Sequence, residues 1–268
     1  MPDITDLIRR WWKQMLAVVI LSVAVIGTIT FLKPRKYLSV STAVPASSFA
    51  ADKSKIFNEN IQALYSTLGT PDDLDMILGT ARLDTVYLSV TDAFNLFDHY
   101  KISEKGPASR VKAAVLLQRN TKVMKSEYGE LKVKVWDTDK ELAPQLANAI
   151  MDKLQAIHQN LQSAGNEATL SGLVLRKKAL ELQSDSSSMD KKAVLQNQIQ
   201  QYENLIGQYQ LMVDSKPPVL ITVEKAKPAS WPDKPKRLQI MVAAGLLSLL
   251  FAFLSALLLE RSKTNSKQ

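Results

Sequence analysis

The sequence predicts an α+β membrane protein, in which two transmembrane helices flank one domain with a small mixed sheet and a long extended helix or helical hairpin. Residues 15–32 run for eighteen residues without a charge, and residues 238–259 include only one strongly polar side chain. At 1.5 Å per residue these segments reach about 27 and 33 Å, against a hydrocarbon core of about 30 Å. The 205 residues between them alternate strand and helix patterns, which predicts a folded domain on one side of the membrane.

The first apolar segment has the basic flank of a signal peptide, since Arg9, Arg10 and Lys13 precede it. It is longer than a usual signal core, however, and Lys-Pro-Arg-Lys at 33–36 stands where a small-residue cleavage site would lie. We therefore expect this segment to remain as the first span, with residues 1–14 as a stub before it. Three basic residues lie on each side of both spans, so loop charge does not decide their orientation.

Composition excludes several classes of protein. The chain has no cysteine, so thiolate metal sites and cysteine nucleophiles are absent. The segment 33–237 holds 28 Lys and Arg against 23 Asp and Glu, without a run of five like charges. This pattern is not that of a nucleic-acid-binding arm, and a solvated basic surface is favoured over an acidic polymer or lipid site.

Three segments have strand patterns. Residues 37–44 alternate with Leu38, Val40 and Val44 on one face, and residues 219–223 are a short run of β-branched and aliphatic side chains. Residues 130–136 alternate most strictly and turn Leu131 and Val133 inward. A sheet close to the membrane would join these three strands, because two of them adjoin the spans.

Several short helices are expected between residues 51 and 118. Pro71 and Pro107 suit first helical positions, and Thr91 or Asp92 suits an N-cap. The acidic residues after Pro71 favour a helix start over a metal site, because no histidine or other ligand set accompanies them.

A long helical arm is predicted over about 139–213. It starts either with the capping box Thr138-x-x-Glu141 and a kink at Pro144, or at Pro144 itself. Serine-rich residues 184–188 indicate a turn, after which a heptad-spaced apolar seam predicts a returning helix. The seam residues, which we expect to make contacts between copies of the chain, are Leu195, Ile199, Tyr202, Ile206 and Tyr209.

Residues 226–237 are predicted to form a stiff proline-rich strut before the second span. Pro228, Pro232 and Pro235 lack N–H donors and fix φ, and Trp231 between them suits the headgroup level. In the second span, small residues at four-residue spacing predict close helix packing. They are Ala244, Ser248, Ala252 and Ala256, opposite an expected patch of Ala24, Gly27 and Thr28 in the first span.

No catalytic, cofactor or metal site is predicted. The two histidines, His99 and His158, lie in no metal-binding motif, and His158 is expected at the surface of the long helix. Nucleophile-elbow, P-loop and dinucleotide-binding motifs are missing from the sequence. A triad built on Asp98 and His99 lacks a supporting motif. We therefore expect a protein that is not an enzyme.

The order of these elements resembles that of the Wzz-type polysaccharide co-polymerases, the O-antigen and exopolysaccharide chain-length determinants. Two segments carry the resemblance: Leu-Lys-Val-Lys-Val-Trp-Asp-Thr-Asp-Lys-Glu-Leu-Ala-Pro-Gln-Leu-Ala-Asn at 131–148, and Ala-Lys-Pro-Ala-Ser-Trp-Pro-Asp-Lys-Pro-Lys-Arg at 226–237. The two segments stand in the expected order between the spans, the second one directly before the second span, so the resemblance covers essentially the whole chain.

The resemblance implies a bacterial inner-membrane protein with both termini in the cytoplasm and residues 33–237 in the periplasm. It implies a homo-oligomeric ring or bell that acts on a partner polymerase or on the growing glycan, in contact with membrane lipid and without nucleic acid. It further implies regulation of lipopolysaccharide O-antigen length, or alternatively capsule or exopolysaccharide export with a separate tyrosine kinase and an outer-membrane channel. The nine residues at 260–268 are too few for the kinase that some relatives carry, so we expect a short cytoplasmic tail.

Overall fold

The structure is a computed structural model that describes residues 4–46, 71–103, 106–185 and 189–265. It divides into two compact units. The first unit consists of Met1–Leu38, Asp137–Lys140 and Ala229–Gln268, and the second of Ser39–Trp136 and Glu141–Pro228.

The first unit contains two long apolar helices. Helix α1 spans Ile4–Leu32, and the last helix, α8, spans Arg237–Asn265. Within them, Arg9–Leu32 and Arg237–Leu259 are long and apolar enough to cross a membrane, with mean hydropathies of 2.6 and 2.5. Both helices continue past the apolar segments read from the sequence, because helix propensity does not end where the lipid-compatible side chains end.

The second unit is built on a four-stranded sheet in the order β2-β3-β1-β4. Its strands are β1 Tyr37–Pro45, β2 Thr121–Lys125, β3 Leu131–Asp137 and β4 Leu220–Glu224. Strands β2 and β3 form an antiparallel hairpin, and β1 pairs with β4 antiparallel, with an irregularity between Thr42 and Ala43. The small sheet, the apolar end helices and the long helical middle confirm the predicted fold class.

Among the described residues, six helices lie between the strands. Four are short, α2 Pro71–Thr80, α3 Asp84–Ala93, α4 Leu96–His99 and α5 Pro107–Arg119. Two are long: α6 runs over 44 residues from Leu142 to Asp185, and α7 over 27 residues from Met189 to Ser215. Helices α2 and α5 begin at the prolines expected to open them. Residues 47–70, the start of the region predicted to hold short helices, lie outside the described residues.

The N-cap prediction for Thr91 and Asp92 was wrong. Both residues lie in the last turn of α3, and Thr91 is buried. The Asp92 carboxylate accepts two hydrogen bonds from Arg110 of α5, at 2.6 and 2.7 Å. Asp92 was mistaken for a cap because its actual partner, Arg110, lies eighteen residues further along the chain, where a local pattern does not reveal it.

The core joins buried residues of the sheet and of the short helices α2, α3 and α5 with the first half of α6. Leu131, Val133 and Val135 of β3 are fully buried, as their alternation predicted. On α6, Leu146, Ile150 and Leu154 are fully buried, but Leu161 is 59% exposed. At about 1.5–3 kcal/mol for each buried aliphatic side chain, this half of α6 contributes strongly to the stability of the unit.

Strand β1 reverses the expected burial. Leu38, Val40 and Val44 are only half-buried, whereas the intervening Ser39 and Ser41 are buried. Strand β1 is paired on both edges, with β3 and β4, and its residues 38–45 are buried or half-buried on both faces. The serine hydroxyls meet partners there that the alternation of apolar residues does not reveal.

The start of α6 settles the question left open at Pro144. The helix begins at Leu142, so Pro144 lies in its first turn, where a backbone N–H is not needed. Ahead of it, the Asp137 carboxylate accepts a hydrogen bond of 2.9 Å from the Asp139 N–H, which forms a local turn. The capping box at Thr138 therefore does not mark the first turn of the helix.

Helices α6 and α7 form an antiparallel pair, as predicted for the arm. Lys177 Nζ near the end of α6 lies 2.7 Å from Glu203 Oε1 in the middle of α7. Gln159, nearer the start of α6, donates a hydrogen bond to the Lys216 carbonyl just after α7. The predicted turn near Ser186 lies outside the described residues.

His158 is buried, contrary to the expectation of a surface position. Its ring is 3% exposed, and Nε2 lies 2.9 Å from Thr80 Oγ1 at the end of α2. The helix that covers it lies 78 residues earlier in the chain, so the local pattern on α6 carried no sign of this contact.

Candidate functional site

Asn148 on α6 joins the two segments that carry the family resemblance. Its Oδ1 accepts a hydrogen bond of 2.9 Å from the Ala226 N–H, and its Nδ2 donates to the Ala226 carbonyl at 3.4 Å. One side-chain amide thus satisfies both polar groups of a single backbone residue. The contact connects residue 148, the end of the first segment, with residue 226, the start of the second.

Two serines of β1 hold the same stretch of backbone. Ser39 Oγ donates to the Lys227 carbonyl at 2.9 Å, and Ser41 Oγ donates to the Glu224 carbonyl at 3.4 Å. We call Ser39, Ser41 and Asn148, with the backbone of residues 224–227, the strut anchor. Each hydrogen bond contributes about 0.5–1.5 kcal/mol, and loss of one partner leaves a half-buried backbone group unsatisfied.

The side chains of the strut anchor hold the backbone in position. Its side chains are an amide and two hydroxyls, and all three are bonded to main-chain groups. They fix the direction of the chain directly before Pro228, which cannot donate a further ladder hydrogen bond. Among the described residues, no group of three histidine, aspartate or glutamate side chains is arranged to hold a metal ion.

The strut residues are divided between the two units. Pro228 is the last residue of the second unit, and Trp231, Pro232 and Pro235 belong to the first. Trp231 is 83% exposed, and the Lys234–Pro235 peptide bond is cis. The only regular pairing in this segment is a single antiparallel bridge between Lys234 and Lys36. That these prolines form a stiff strut before the second span stays a prediction.

The predicted small-residue ridge of α8 faces α1. All four of its members are buried: Ala244, Ser248, Ala252 and Ala256. A Cβ on Gly245 would lie 3.7 Å from Val23 Cγ2 of α1, and one on Gly27 would lie 3.9 Å from Met241 Sδ of α8. A side chain of the other helix therefore packs against each glycine. Whether the ridge drives this packing in a bilayer stays a prediction.

The expected patch on α1 was wrong at two of its three residues. Gly27 is buried, but Ala24 and Thr28 are exposed, and Thr28 Oγ1 donates to the Ala24 carbonyl within its own helix. Thr30 is buried instead, with its hydroxyl bonded to the Ile26 carbonyl at 2.7 Å. A span that is apolar all round gives little information on which side meets its partner.

The heptad seam of α7 lies against α6 of the same chain. All five members are half-buried, while most of their neighbours on α7 are exposed: Leu195, Ile199, Tyr202, Ile206 and Tyr209. The structure places other large apolar side chains of the arm in solvent, with Leu175 70% and Leu182 67% exposed. Contacts between copies of the chain through the seam stay a prediction.

An open groove beside the edge strand β2 was not found from the sequence. It encloses about 520 Å³ and is lined by Arg82, Gln118, Lys122 and Lys125 above apolar residues of α2 and β2. Lys125 Nζ lies 3.6 Å from Asp75 Oδ2, and Gln118 Nε2 donates to the Arg82 carbonyl at 3.0 Å. The groove depends on β2, whose two lysines hid its strand character.

The structure thus defines a class of protein: two apolar helices near the chain ends, with a small sheet and a long antiparallel helical hairpin between them. No family model matches the chain, and no curated protein matches it. Among solved structures, a full-length bacterial polysaccharide co-polymerase is similar, with a TM-score of 0.42 and 14% identity over 99% of this chain and 98% of that one.

Proposed function

We propose that this protein is a non-enzymatic regulator of surface polysaccharide chain length, with lipopolysaccharide O-antigen as the glycan. It would act as an oligomeric scaffold in the bacterial inner membrane, with residues 33–237 in the periplasm and the polymerase and growing glycan as partners. The observation that supports this most directly is the pair of hydrogen bonds between Asn148 and Ala226. It links the two segments whose residues resemble those of chain-length determinants.

The strut anchor gives this role a physical basis. A regulator without catalytic groups can act only by holding its partners in a fixed geometry or by changing that geometry. The anchor holds residues 224–227 in a fixed position, directly before the prolines that lead to α8. The second unit therefore has a defined point from which the strut begins. The exposed leucines of the arm, Leu175 and Leu182, offer apolar area for contacts with a second copy of the chain.

The alternative function is capsule or exopolysaccharide export with a separate kinase and an outer-membrane channel. The two functions differ in phenotype. Loss of a length regulator changes the distribution of glycan lengths, whereas loss of an export protein abolishes secretion. A gel of lipopolysaccharide from a deletion strain, with a parallel assay of secreted polysaccharide, separates them. An unchanged banding pattern would contradict length control.

Complementation of that strain tests the strut anchor. Asn148→Ala removes both bonds to Ala226 and is expected to broaden the modal band while the protein still inserts, at a cost of about 2 kcal/mol in the second unit. Asn148→Asp keeps the acceptor for the Ala226 N–H and is expected to be milder. The matched control is Asn197→Ala, at an exposed position of α7. Equal band patterns for Asn148→Ala and wild type would contradict a role for the anchor.

The prolines are tested separately. Replacement of Pro228, Pro232 and Pro235 by alanine together should blur glycan length if the strut must be stiff, because each proline fixes φ and limits the chain to extended conformations. Membrane insertion is expected to be unaffected. Sharp length control in this triple variant would show that the segment is only a spacer.

A further inference from the structure

Basic side chains converge where α1 ends and α8 begins. The backbone brings the two sides together, because the Lys36 N–H donates to the Lys234 carbonyl at 2.9 Å and the Asp233 N–H donates to the Lys36 carbonyl at 2.9 Å. We call the six basic residues at this place the basic collar: Lys33, Arg35, Lys36, Lys234, Lys236 and Arg237. In the sequence these residues form two separate groups of three, each matched by three basic residues on the other side of its span. Only the pairing of the two segments makes the groups neighbours.

Arg237 fixes the geometry of the collar. Its Nη2 donates to the Phe31 carbonyl in the last turn of α1 at 3.4 Å, and its guanidinium lies 4.5 Å from the Phe31 ring centroid. The Nε atom of Arg237 is buried and has no hydrogen-bond partner among the described residues. The first residue of α8 is thereby tied to the end of α1, so both helices leave their apolar segments at the same level.

The charge at this level is strongly positive. The segments 33–36 and 233–237 hold six basic residues and one acidic residue, Asp233, which gives a net charge of +5 (6 − 1). The opposing dipoles of the α1 C-terminus and the α8 N-terminus nearly cancel, so the side chains set the potential. Lys33, Arg35, Lys234 and Lys236 are exposed, and their aliphatic stems can lie along the apolar helices while their charges reach outward.

We propose that the basic collar binds the phosphate groups of anionic phospholipids, at the bilayer surface on the side of residues 33–237. Arginine and lysine recognise phosphate oxygens through charge-assisted hydrogen bonds, and basic residues next to a span attract anionic headgroups. The position favours lipid over an acidic polysaccharide, because the cations directly adjoin the ends of two lipid-compatible helices, at headgroup depth. The exposed Trp231 is also suited to that depth. This inference requires the two helices to cross a membrane and is independent of the polysaccharide role.

The test uses the full chain reconstituted in phosphatidylcholine vesicles with a trace of spin-labelled phosphatidylglycerol or spin-labelled phosphatidylcholine. Electron spin resonance gives the fraction of each label that is immobilised at the protein. The wild type is expected to select phosphatidylglycerol about threefold to fivefold at low salt, and the selectivity should fall as salt screens the charges. A variant that keeps Arg237 but has glutamine at the other five collar positions should associate with the two lipids about equally. Its substitutions are Lys33→Gln, Arg35→Gln, Lys36→Gln, Lys234→Gln and Lys236→Gln.

The matched control neutralises the opposite end of the helix pair, through Arg9→Gln, Arg10→Gln and Lys13→Gln. Two results together support the proposal. Selectivity for phosphatidylglycerol should persist in this control, and it should return in a collar variant in which each of the five lysines or arginines is exchanged for the other of these two residue types. Equal association in the wild type, or an equal loss in both variants, would overturn it. Soluble inorganic phosphate or an acidic polysaccharide at millimolar concentration should not displace the labelled phosphatidylglycerol. If either displaces it as effectively as added phosphatidylglycerol does, the assignment to lipid is wrong. Far-UV circular dichroism checks that each variant keeps its helices.

Discussion

The chain contains two antiparallel helix pairs that are held together differently. Helices α1 and α8 approach through small residues, with buried Ala252 and Ala256 on one side and Gly27 on the other. Helices α6 and α7 meet through larger, half-buried side chains such as Ile206, with the ion pair of Lys177 and Glu203 beside them. The difference is the one expected for one helix pair in lipid and the other in water. Water drives leucine and isoleucine together, whereas lipid does not, so helices in lipid associate through close packing.

A bulky residue in the small-residue ridge tests this comparison most severely. Ala252→Leu adds volume at a buried position of α8 and is expected to cost about 3 kcal/mol of helix pairing. The chain has no cysteine, so disulfide formation between Val23→Cys and Gly245→Cys reports the α1–α8 contact directly. Cross-linking should drop sharply in Ala252→Leu and persist in the control Leu250→Ala, whose side chain is exposed on α8. Equal cross-linking would show that the ridge is not what holds the pair.

The second unit should also show a pH dependence of its own. Tyr87 is 4% exposed, its hydroxyl donates to the Ala81 carbonyl, and burial raises the pKa of Tyr87 to about 12. The unfolded state loses this proton first, near pH 10, so the stabilisation is complete below pH 10 and disappears as pH rises through 12. Over that interval the unfolding free energy should fall by about 2–3 kcal/mol because of this group.

Denaturant titrations from pH 9 to 12 measure this effect. Tyr87→Phe should remove that part of the slope, whereas Tyr128→Phe, at an exposed position in the β2–β3 hairpin, should leave it. Identical slopes for wild type and Tyr87→Phe would contradict the assignment.

Truncation of the seam should have an intermediate effect. Ile206→Ala removes half-buried apolar surface between α7 and α6 and is expected to destabilise the hairpin by about 1–2 kcal/mol. Hydrogen exchange of α7 amides is the measurement, and Leu211→Ala on the exposed face of α7 is the control. A larger effect from Leu211→Ala than from Ile206→Ala would show that the outer face is the one that is covered by a second copy.

The ion pair of the hairpin should have the smallest effect. The hydrogen bond from Lys177 to Glu203 raises the pKa of Lys177, so any stabilisation is present at neutral pH and is lost as pH rises through the folded pKa. Because the pair is exposed to solvent and salt, Glu203→Gln should change hairpin stability only slightly, and not at all at high salt. A salt-independent loss would mean that the pair is shielded from solvent in the assembly.

Prediction from the sequence succeeded where a pattern is local. Both apolar helices, the strict alternation of β3, and the prolines that open α2 and α5 follow from side chains within one element. It failed where the partner is distant. Strand β2, the burial of His158 and the inward-facing serines of β1 all depend on contacts with elements far away in the chain. The strut anchor combines both cases, since its two segments were recognised separately and their contact was not.

The sequence by itself determined which segments suit lipid and which suit water, because hydropathy and periodicity are properties of neighbouring residues. The tertiary structure decided which side chains meet: Asn148 with Ala226, Gly27 with the Met241 side chain, and the two halves of the basic collar. Such contacts join residues up to about 200 positions apart in the chain, as between Arg237 and Phe31. The physical reason is that each partner satisfies a polar group or fills a space that exists only after the chain has folded.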